Sequence, residues 1–105
     1  MDRYLYFANG SNEGDVLCIP VFQIEGMEIG ANNAVNIYGN DLGGVDSNDL
    51  LVVINCTAGK TKQVMKAITE ACNFSADPFI VVADDINSEF LSADITSCGA
   101  ITENA

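Results

Sequence analysis

Residues 50–83 hold two apolar runs on either side of a helical pattern, and they read LLVVINCTAGKTKQVMKAITEACNFSADPFIVVA. The run 50–54 is continuous and β-branched, which is typical of a strand covered on both faces. From Thr61 onward the period becomes 3.6 residues, which predicts a helix over 60–73. One side of this helix collects Thr61, Val64, Met65, Ile68, Ala71 and Cys72. Pro78 disfavours helix at the residue before it, so a second apolar strand follows at 79–83.

Weaker strand patterns flank this central unit. Alternation predicts strands at 4–8 and 34–38, and weak strand signals continue over 90–101. Pro20 interrupts an apolar run at 16–24, which indicates an edge strand or a bulge. The glycine-rich segments 25–33 and 39–49 are predicted loops.

Together these elements predict one α+β domain over residues 1–105, mostly β, with five to six strands and a single amphipathic helix packed on the sheet. Strand, helix and strand within about 35 residues have the size of a βαβ unit. Parallel and antiparallel arrangements of its two strands both remain open.

The composition narrows the class of protein. The chain has 105 residues, with 15 acids against four bases, a net charge of −11 and 49% hydrophobic residues. This is enough apolar material for one compact core, so the chain is not a disordered acidic tail. Its charge makes nucleic acid and anionic membranes poor partners, because binding to phosphates needs clustered Lys and Arg. The chain has no histidine, which excludes Ser-His-Asp and Cys-His catalysis and zinc sites with histidine ligands.

Targeting signals and disulfides are not expected. The N-terminus lacks a basic region followed by a long apolar run, which argues against a signal peptide. No stretch approaches the roughly 18 apolar residues of a spanning helix. Cys18, Cys56, Cys72 and Cys98 contain no Cys-x-x-Cys pair and are predicted to be free, buried thiols. A disulfide, with three possible pairings, or a metal site is the alternative.

One segment resembles a phosphate-binding loop. Ala58-Gly59-Lys60-Thr61 follows an apolar run and opens the predicted helix, as the end of a Walker A motif does. That motif needs a glycine five positions before Gly59, where this chain has Ile54. The segment is therefore interpreted as a glycine-containing turn that leads into the helix.

The acidic loops invite two further hypotheses. Oxygen-rich clusters suit Ca²⁺, yet neither loop has the ligand spacing of an EF-hand, and solvated turns explain them as well. These clusters are Asn40, Asp41, Asp46, Asn48 and Asp49, and Asp84, Asp85, Asn87 and Glu89. Paired carboxylates for hydrolysis among Asp84, Asp85 and Asp94 lack any sign of a cleft. We therefore predict no enzyme activity, no catalytic residue, no metal and no cofactor.

The basic residues indicate an interaction surface instead. Lys60, Lys62 and Lys66 are three of the four bases and lie in the first half of the predicted helix. They form either a solvated helix face or a positive patch that docks an acidic partner or a neighbouring subunit. Tyr4 and Tyr6 join them as predicted contact residues, chosen by charge and exposure.

Three segments together resemble small acidic virion proteins of marine and cyanobacterial tailed phages, some of which resemble capsid decoration (cement) proteins. The segments are Met1 to Phe7 (MDRYLYF), Thr57 to Ile68 (TAGKTKQVMKAI) and Phe79 to Glu89 (FIVVADDINSE). The resemblance implies a structural protein, made in the host cytoplasm, that binds the major capsid protein on the outside of the shell. Other copies of the chain are a second candidate partner. A tail or head–neck component, or a phage-encoded regulator that binds a host protein, is the alternative.

Overall fold

A computed structural model describes residues 2–10, 16–31, 33–40 and 49–103. Most of the predicted loop 39–49 lies outside these ranges, and with it most of the first acidic cluster. These described residues form eight strands and one α-helix. In order they are β1 Tyr4–Ala8, β2 Val16–Pro20, β3 Ile24–Ala31, β4 Ala34–Asn40, β5 Asp49–Cys56, α1 Thr61–Phe74, β6 Phe79–Asp84, β7 Glu89–Phe90 and β8 Ile95–Glu103, with a single 3₁₀ turn at Val21–Gln23. The α+β class with one helix is confirmed, and the strand number exceeds the predicted five to six.

The strands form two four-stranded sheets. Sheet A has the order β2-β1-β6-β7, and sheet B has the order β3-β4-β5-β8. Strand β1 pairs with β2 in antiparallel and with β6 in parallel orientation, whereas every pair in sheet B is antiparallel. The prediction for Pro20 is confirmed, because β2 is an edge strand of sheet A and Pro20 is its last residue.

A single hydrophobic core lies between the two sheets and the helix. Alternate residues of β1, β2, β4 and β5 point into it, as the two-residue period of a strand requires. Its largest fully buried apolar side chains are Phe7, Leu5, Ile19, Ile37, Leu50, Ile54, Ile68, Val35, Val52, Val64 and Val82. One core built from both sheets and α1 is what a chain of this size can support.

Neither the parallel nor the antiparallel arrangement left open for the two apolar strands occurs. Its two apolar strands belong to different sheets, because β5 lies inside sheet B and β6 lies inside sheet A. Helix α1 therefore connects the sheets and packs Val64 and Ile68 into the shared core. Strand β6 pairs in parallel with β1, about seventy residues away along the chain, and no local pattern encodes that choice.

The prediction that β5 is covered on both faces is also wrong. Leu50, Val52 and Ile54 are buried, but Leu51 and Val53 between them are only partly buried. An apolar run thus marks a strand without specifying how many of its faces are covered.

The segment 25–33, predicted as a loop, is mostly strand. β3 covers Ile24–Ala31 and pairs in antiparallel orientation with β4. Gly30 allows close packing, because a Cβ there would lie 2.6 Å from Asn36 Nδ2 on the neighbouring strand. Glycine at this position leaves room for a side chain of the neighbouring strand. The sequence pattern alone does not distinguish such a glycine from one in a turn.

The segment before α1 forms the predicted turn. Gly59 has a φ of +82°, a conformation that side chains disfavour, and Lys60 N donates to Thr57 O at 3.0 Å. The helix then begins at Thr61, so the interpretation of this segment as a turn into a helix start is confirmed.

Candidate functional site

The structure divides the five predicted contact residues between two surfaces. Tyr4 and Tyr6 lie on the outer side of sheet A, while Lys60, Lys62 and Lys66 are exposed on α1. The helix has 14 residues and is about 21 Å long at 1.5 Å per residue. Lys60 is the N-cap residue and Lys62 and Lys66 lie in the first half of the helix, whereas Tyr4 N donates to Pro78 O, beyond the last helical residue. The two surfaces differ in place and in chemistry.

The outer side of sheet A is an apolar surface, which we call the aromatic face. Its members are Tyr4, Tyr6, Val16, Cys18, Pro20, Phe79 and Val81. The strand register places them in rows, because Tyr4 pairs with Pro20 and Phe79, and Tyr6 pairs with Cys18 and Val81. None of these side chains carries a charge at neutral pH, although the chain has 19 charged residues. A charge-free surface on so acidic a chain is the composition expected at the centre of an interface.

The aromatic face is exposed to solvent. Tyr4 is 41% exposed, Val16 is 40% exposed and Phe79 is 47% exposed. The rings of Tyr6 and Phe79 are tilted against each other with centroids 5.2 Å apart, a favourable spacing for an aromatic pair. Burial raises the pKa of Tyr6, and the neighbouring Asp84 carboxylate raises it further, so its hydroxyl stays neutral over the physiological range.

Sequence reasoning found only part of this face. Tyr4 and Tyr6 were predicted contact residues, but Phe79 and Val81 were assigned to a fully apolar strand. The missing information was which side of β6 meets the core. Once β6 pairs with β1, Ile80 and Val82 turn inward and Phe79 and Val81 turn outward. A continuous apolar run conceals this division, because both sets have the same composition.

The second surface, which we call the lysine surface, consists of Lys60, Lys62 and Lys66. Thr61, Val64 and Ile68 on the other side of the helix are buried, which turns the lysines outward. The first turn of α1 contains no acidic residue, and Lys60 at the N-cap makes no capping hydrogen bond through its side chain. Lysines at this end oppose the helix dipole and cost a few tenths of a kcal/mol each, so helix stability does not explain their position.

In the second acidic cluster, Asp84 and Asp85 accept hydrogen bonds from the backbone and so stabilise the fold. Asp85 Oδ2 accepts from Gly10 N at 2.9 Å, and its Oδ1 accepts from Cys98 N at 2.8 Å, which ties sheet A to sheet B. The Asn9 side chain donates to the carbonyls of Cys98 and Gly99, close to an irregularity in the β5–β8 pairing. We call Asn9 and Asp85 with their partners the polar clamp.

Asp84 accepts hydrogen bonds within the turn that follows β6. It is 2% exposed, and its Oδ1 accepts from Ile86 N at 3.0 Å and from Asn87 N at 3.1 Å. Its Oδ2 accepts from the Asn87 side chain at 2.9 Å. These bonds satisfy the turn between β6 and β7, so a buried turn cap replaces the predicted solvated turn at this position. Among the residues that the structure describes, no three His, Cys, Asp or Glu side chains are grouped so that they could hold a metal ion.

The four cysteines are free thiols, as predicted, but they are not all buried. Cys56 and Cys98 are buried and Cys72 is half-buried, whereas Cys18 is exposed. The prediction of burial is wrong for Cys18, because its position in β2 points to the aromatic face instead of the core. Burial raises the pKa of Cys18, so its thiolate is scarce at neutral pH.

The raised pKa of Cys98 indicates that the folded chain loses stability at alkaline pH. Burial raises its pKa from 9.0 to about 12, and the nearby Asp85 carboxylate adds to the rise. The unfolded chain therefore loses this proton at lower pH than the folded chain does. We expect the free energy of unfolding to fall as the pH rises from 9 to about 12, measured by urea denaturation at each pH. Cys98→Ala should reduce that slope, and an unchanged slope would contradict the assignment.

One small cavity lies beside the N-terminal residues. A cavity of about 190 Å³ is lined by Asp2, Arg3, Val21, Phe22 and Cys72. Ligand pockets usually measure about 300–1,000 Å³, so this one is small. The Arg3 guanidinium above it is partly engaged, since its Nε donates to Ser75 O at 2.9 Å.

Within the described ranges, no helix combines the length and the apolar character that crossing a membrane requires. The chain matches no protein-family model, no curated protein and no solved structure.

Proposed function

We propose that this chain is a virion structural protein that decorates the outside of a phage capsid and binds the major capsid protein through its lysine surface. The observation that carries the proposal is that three of the four bases are exposed at the N-cap and in the first half of one helix, in a chain with net charge −11. Such a patch favours an acidic protein surface and steers its approach. The resemblance of the three sequence segments to phage virion proteins supplies the capsid as the partner.

The overall charge supports a position on the outer surface. Packaged DNA is polyanionic and repels a chain with 15 acids and four bases. A small, strand-rich protein in which the buried Asp84 and the part-buried Asp85 are engaged in turn and clamp hydrogen bonds also fits a structural role better than a catalytic one. Binding to many identical shell subunits would add stability by mass action.

Reversing the charge of the lysine surface tests this contact. We expect K60E/K62E/K66E to bind purified capsids at least about tenfold more weakly, because it replaces three attractions with repulsions. The control for added negative charge elsewhere is T96E/T102E, which places two carboxylates at exposed positions of β8, outside the helix. Wild-type binding should weaken as salt is raised, since exposed charges are screened. Equal binding of both variants would remove the lysine surface from the interface.

The copy number in purified virions tests the function itself. Mass spectrometry of the virion proteins should find the chain in a fixed ratio to the major capsid protein, with a copy number of the same order. A few copies per particle would assign it to the tail or the head–neck region instead. Absence from virions would overturn the structural role and favour a regulator that binds a host protein.

A further inference from the structure

The aromatic face points to self-association. We propose that two copies of this chain form a dimer by stacking their aromatic faces around a two-fold axis. The contact is isologous, because the same surface is used on both copies and each face is complementary to its equivalent. This inference goes beyond capsid binding and does not depend on it, since it concerns the free protein in solution.

The first argument is charge. Two chains of net charge −11 repel each other wherever their acidic surfaces meet. The aromatic face contains no charged side chain, so it allows close approach without opposing carboxylates. A basic partner would form no ion pairs with such a face, whereas another apolar face could pack against it. The aromatic face of a second copy is an apolar face of this type.

Acidic residues lie only at the margin of this contact. Asp84 and Glu89 are near Tyr6, where they contribute to the raised pKa of its hydroxyl. The Asp84 carboxylate is buried and satisfied by the turn that follows it. Glu89 is exposed and falls at the polar rim that surrounds the apolar centre of most interfaces.

The second argument is area. An aromatic side chain offers about 150–250 Å², and Tyr4 and Phe79 leave 41% and 47% of theirs exposed. With the other five side chains the face presents roughly 400 Å², within the range of the largest apolar patch on a typical protein, which is often functional. A standard interface buries about 800 Å² per partner, of which about 65% is apolar in homodimers. The aromatic face therefore supplies most of the apolar centre that such a dimer needs.

Stacking of faces is favoured over pairing of edges. Val21 N donates to Arg3 O, so in the alternating antiparallel pattern the backbone of Pro20 points away from β1. Pro20 has no N–H to offer a strand at that edge, and its ring obstructs one. At the edge of sheet B, β3 carries the exposed Glu25 and Glu28, which also oppose edge pairing.

Sedimentation equilibrium with designed variants tests the proposal. We expect wild-type protein to dimerise in a concentration-dependent manner. Phe79→Lys should raise the dissociation constant at least about tenfold, because it replaces a 47% exposed aromatic ring of the face with a charge that would be buried in the contact. Phe74→Lys is the matched control: this phenylalanine is 79% exposed at the end of α1 and lies outside the face. It should leave the dissociation constant unchanged. Circular dichroism confirms that both variants fold.

Salt separates this contact from the proposed capsid contact. Dimerisation through the aromatic face should strengthen at higher salt, because screening reduces repulsion between the acidic chains. Capsid binding through the lysine surface should weaken under the same change. A wild-type monomer at every accessible concentration, or equal effects of Phe79→Lys and Phe74→Lys, would overturn the dimer and leave the capsid proposal standing.

Cys18 provides a measurement on the unmodified chain. Its thiol lies on the aromatic face, so dimerisation should slow its reaction with N-ethylmaleimide as protein concentration rises. The half-buried Cys72, in α1, serves as the internal control, and its rate should not change. A Cys18 rate that is independent of protein concentration would contradict the proposal even if Phe79→Lys failed to fold.

Discussion

Phe7→Ala should lower the free energy of unfolding by about 3–5 kcal/mol, the largest effect we expect from a single substitution in this chain. Phe7 is fully buried in β1, between Leu17 of β2 and Ala83 of β6. Removing its ring loses the transfer free energy of the side chain and leaves a cavity that close-packed strands fill poorly. Since a domain of this size has about 5–15 kcal/mol of stability in total, the variant would lose a large part of it.

Urea denaturation followed by circular dichroism measures this change. The matched control is Phe22→Ala, because Phe22 is the same residue type but is 75% exposed in the 3₁₀ turn. We expect that control to change the free energy of unfolding by less than about 0.5 kcal/mol. Similar effects of the two substitutions would contradict the position of Phe7 in the core.

Asp85→Ala should be the second most destabilising change, with a loss of about 2–4 kcal/mol. Its carboxylate accepts two backbone N–H groups, from Gly10 and Cys98, at 2.9 and 2.8 Å. Hydrogen bonds to a charged group contribute about 1.5–3 kcal/mol each, and partial exposure of Asp85 reduces that value. Alanine leaves both donors without their acceptor and loosens the contact between the sheets.

The polar clamp can be tested at the level of single bonds. Hydrogen exchange of the Gly10 and Cys98 amides should accelerate in Asp85→Ala more than exchange in α1 does, because the loss is local. Asp77→Ala is the matched control, since Asp77 is exposed and its side chain accepts a single hydrogen bond from the described residues, from Phe79 N at 3.0 Å. We expect it to cost less than about 1 kcal/mol. Unchanged exchange at Gly10 and Cys98 would show that Asp85 is not their acceptor.

In the two proposals, the aromatic face and the lysine surface bind different partners. The aromatic face would join two copies, and the lysine surface would join the dimer to an acidic shell. Because one contact is apolar and the other is electrostatic, changes in salt affect them in opposite directions. A decoration protein with this division would associate with itself and with the shell through independent residues, so variants of one surface should leave the other contact intact.

Local structure was largely predictable from the sequence. The 3.6-residue period from Thr61 identified α1 to within one residue at its start, and alternation identified β1 and β4. These signals are local, because the side chains that create them lie within one or two turns of each other. The charge of −11 and the position of three lysines on one helix were equally readable. The same information excluded catalysis that depends on histidine.

The tertiary structure decided which strands are neighbours and which of their sides are covered. Strand β6 could have paired with β5, which is close in sequence, but it lies beside β1 in the other sheet. That pairing turned Phe79 outward and Ile80 inward within one uniformly apolar run. It also brought Asp85 to Gly10 and Cys98, from three distant parts of the chain. Periodicity records the spacing along a strand, whereas burial depends on long-range contacts. The sequence alone therefore determined α1 and most of the strands, though not β3, and only the fold determined the aromatic face.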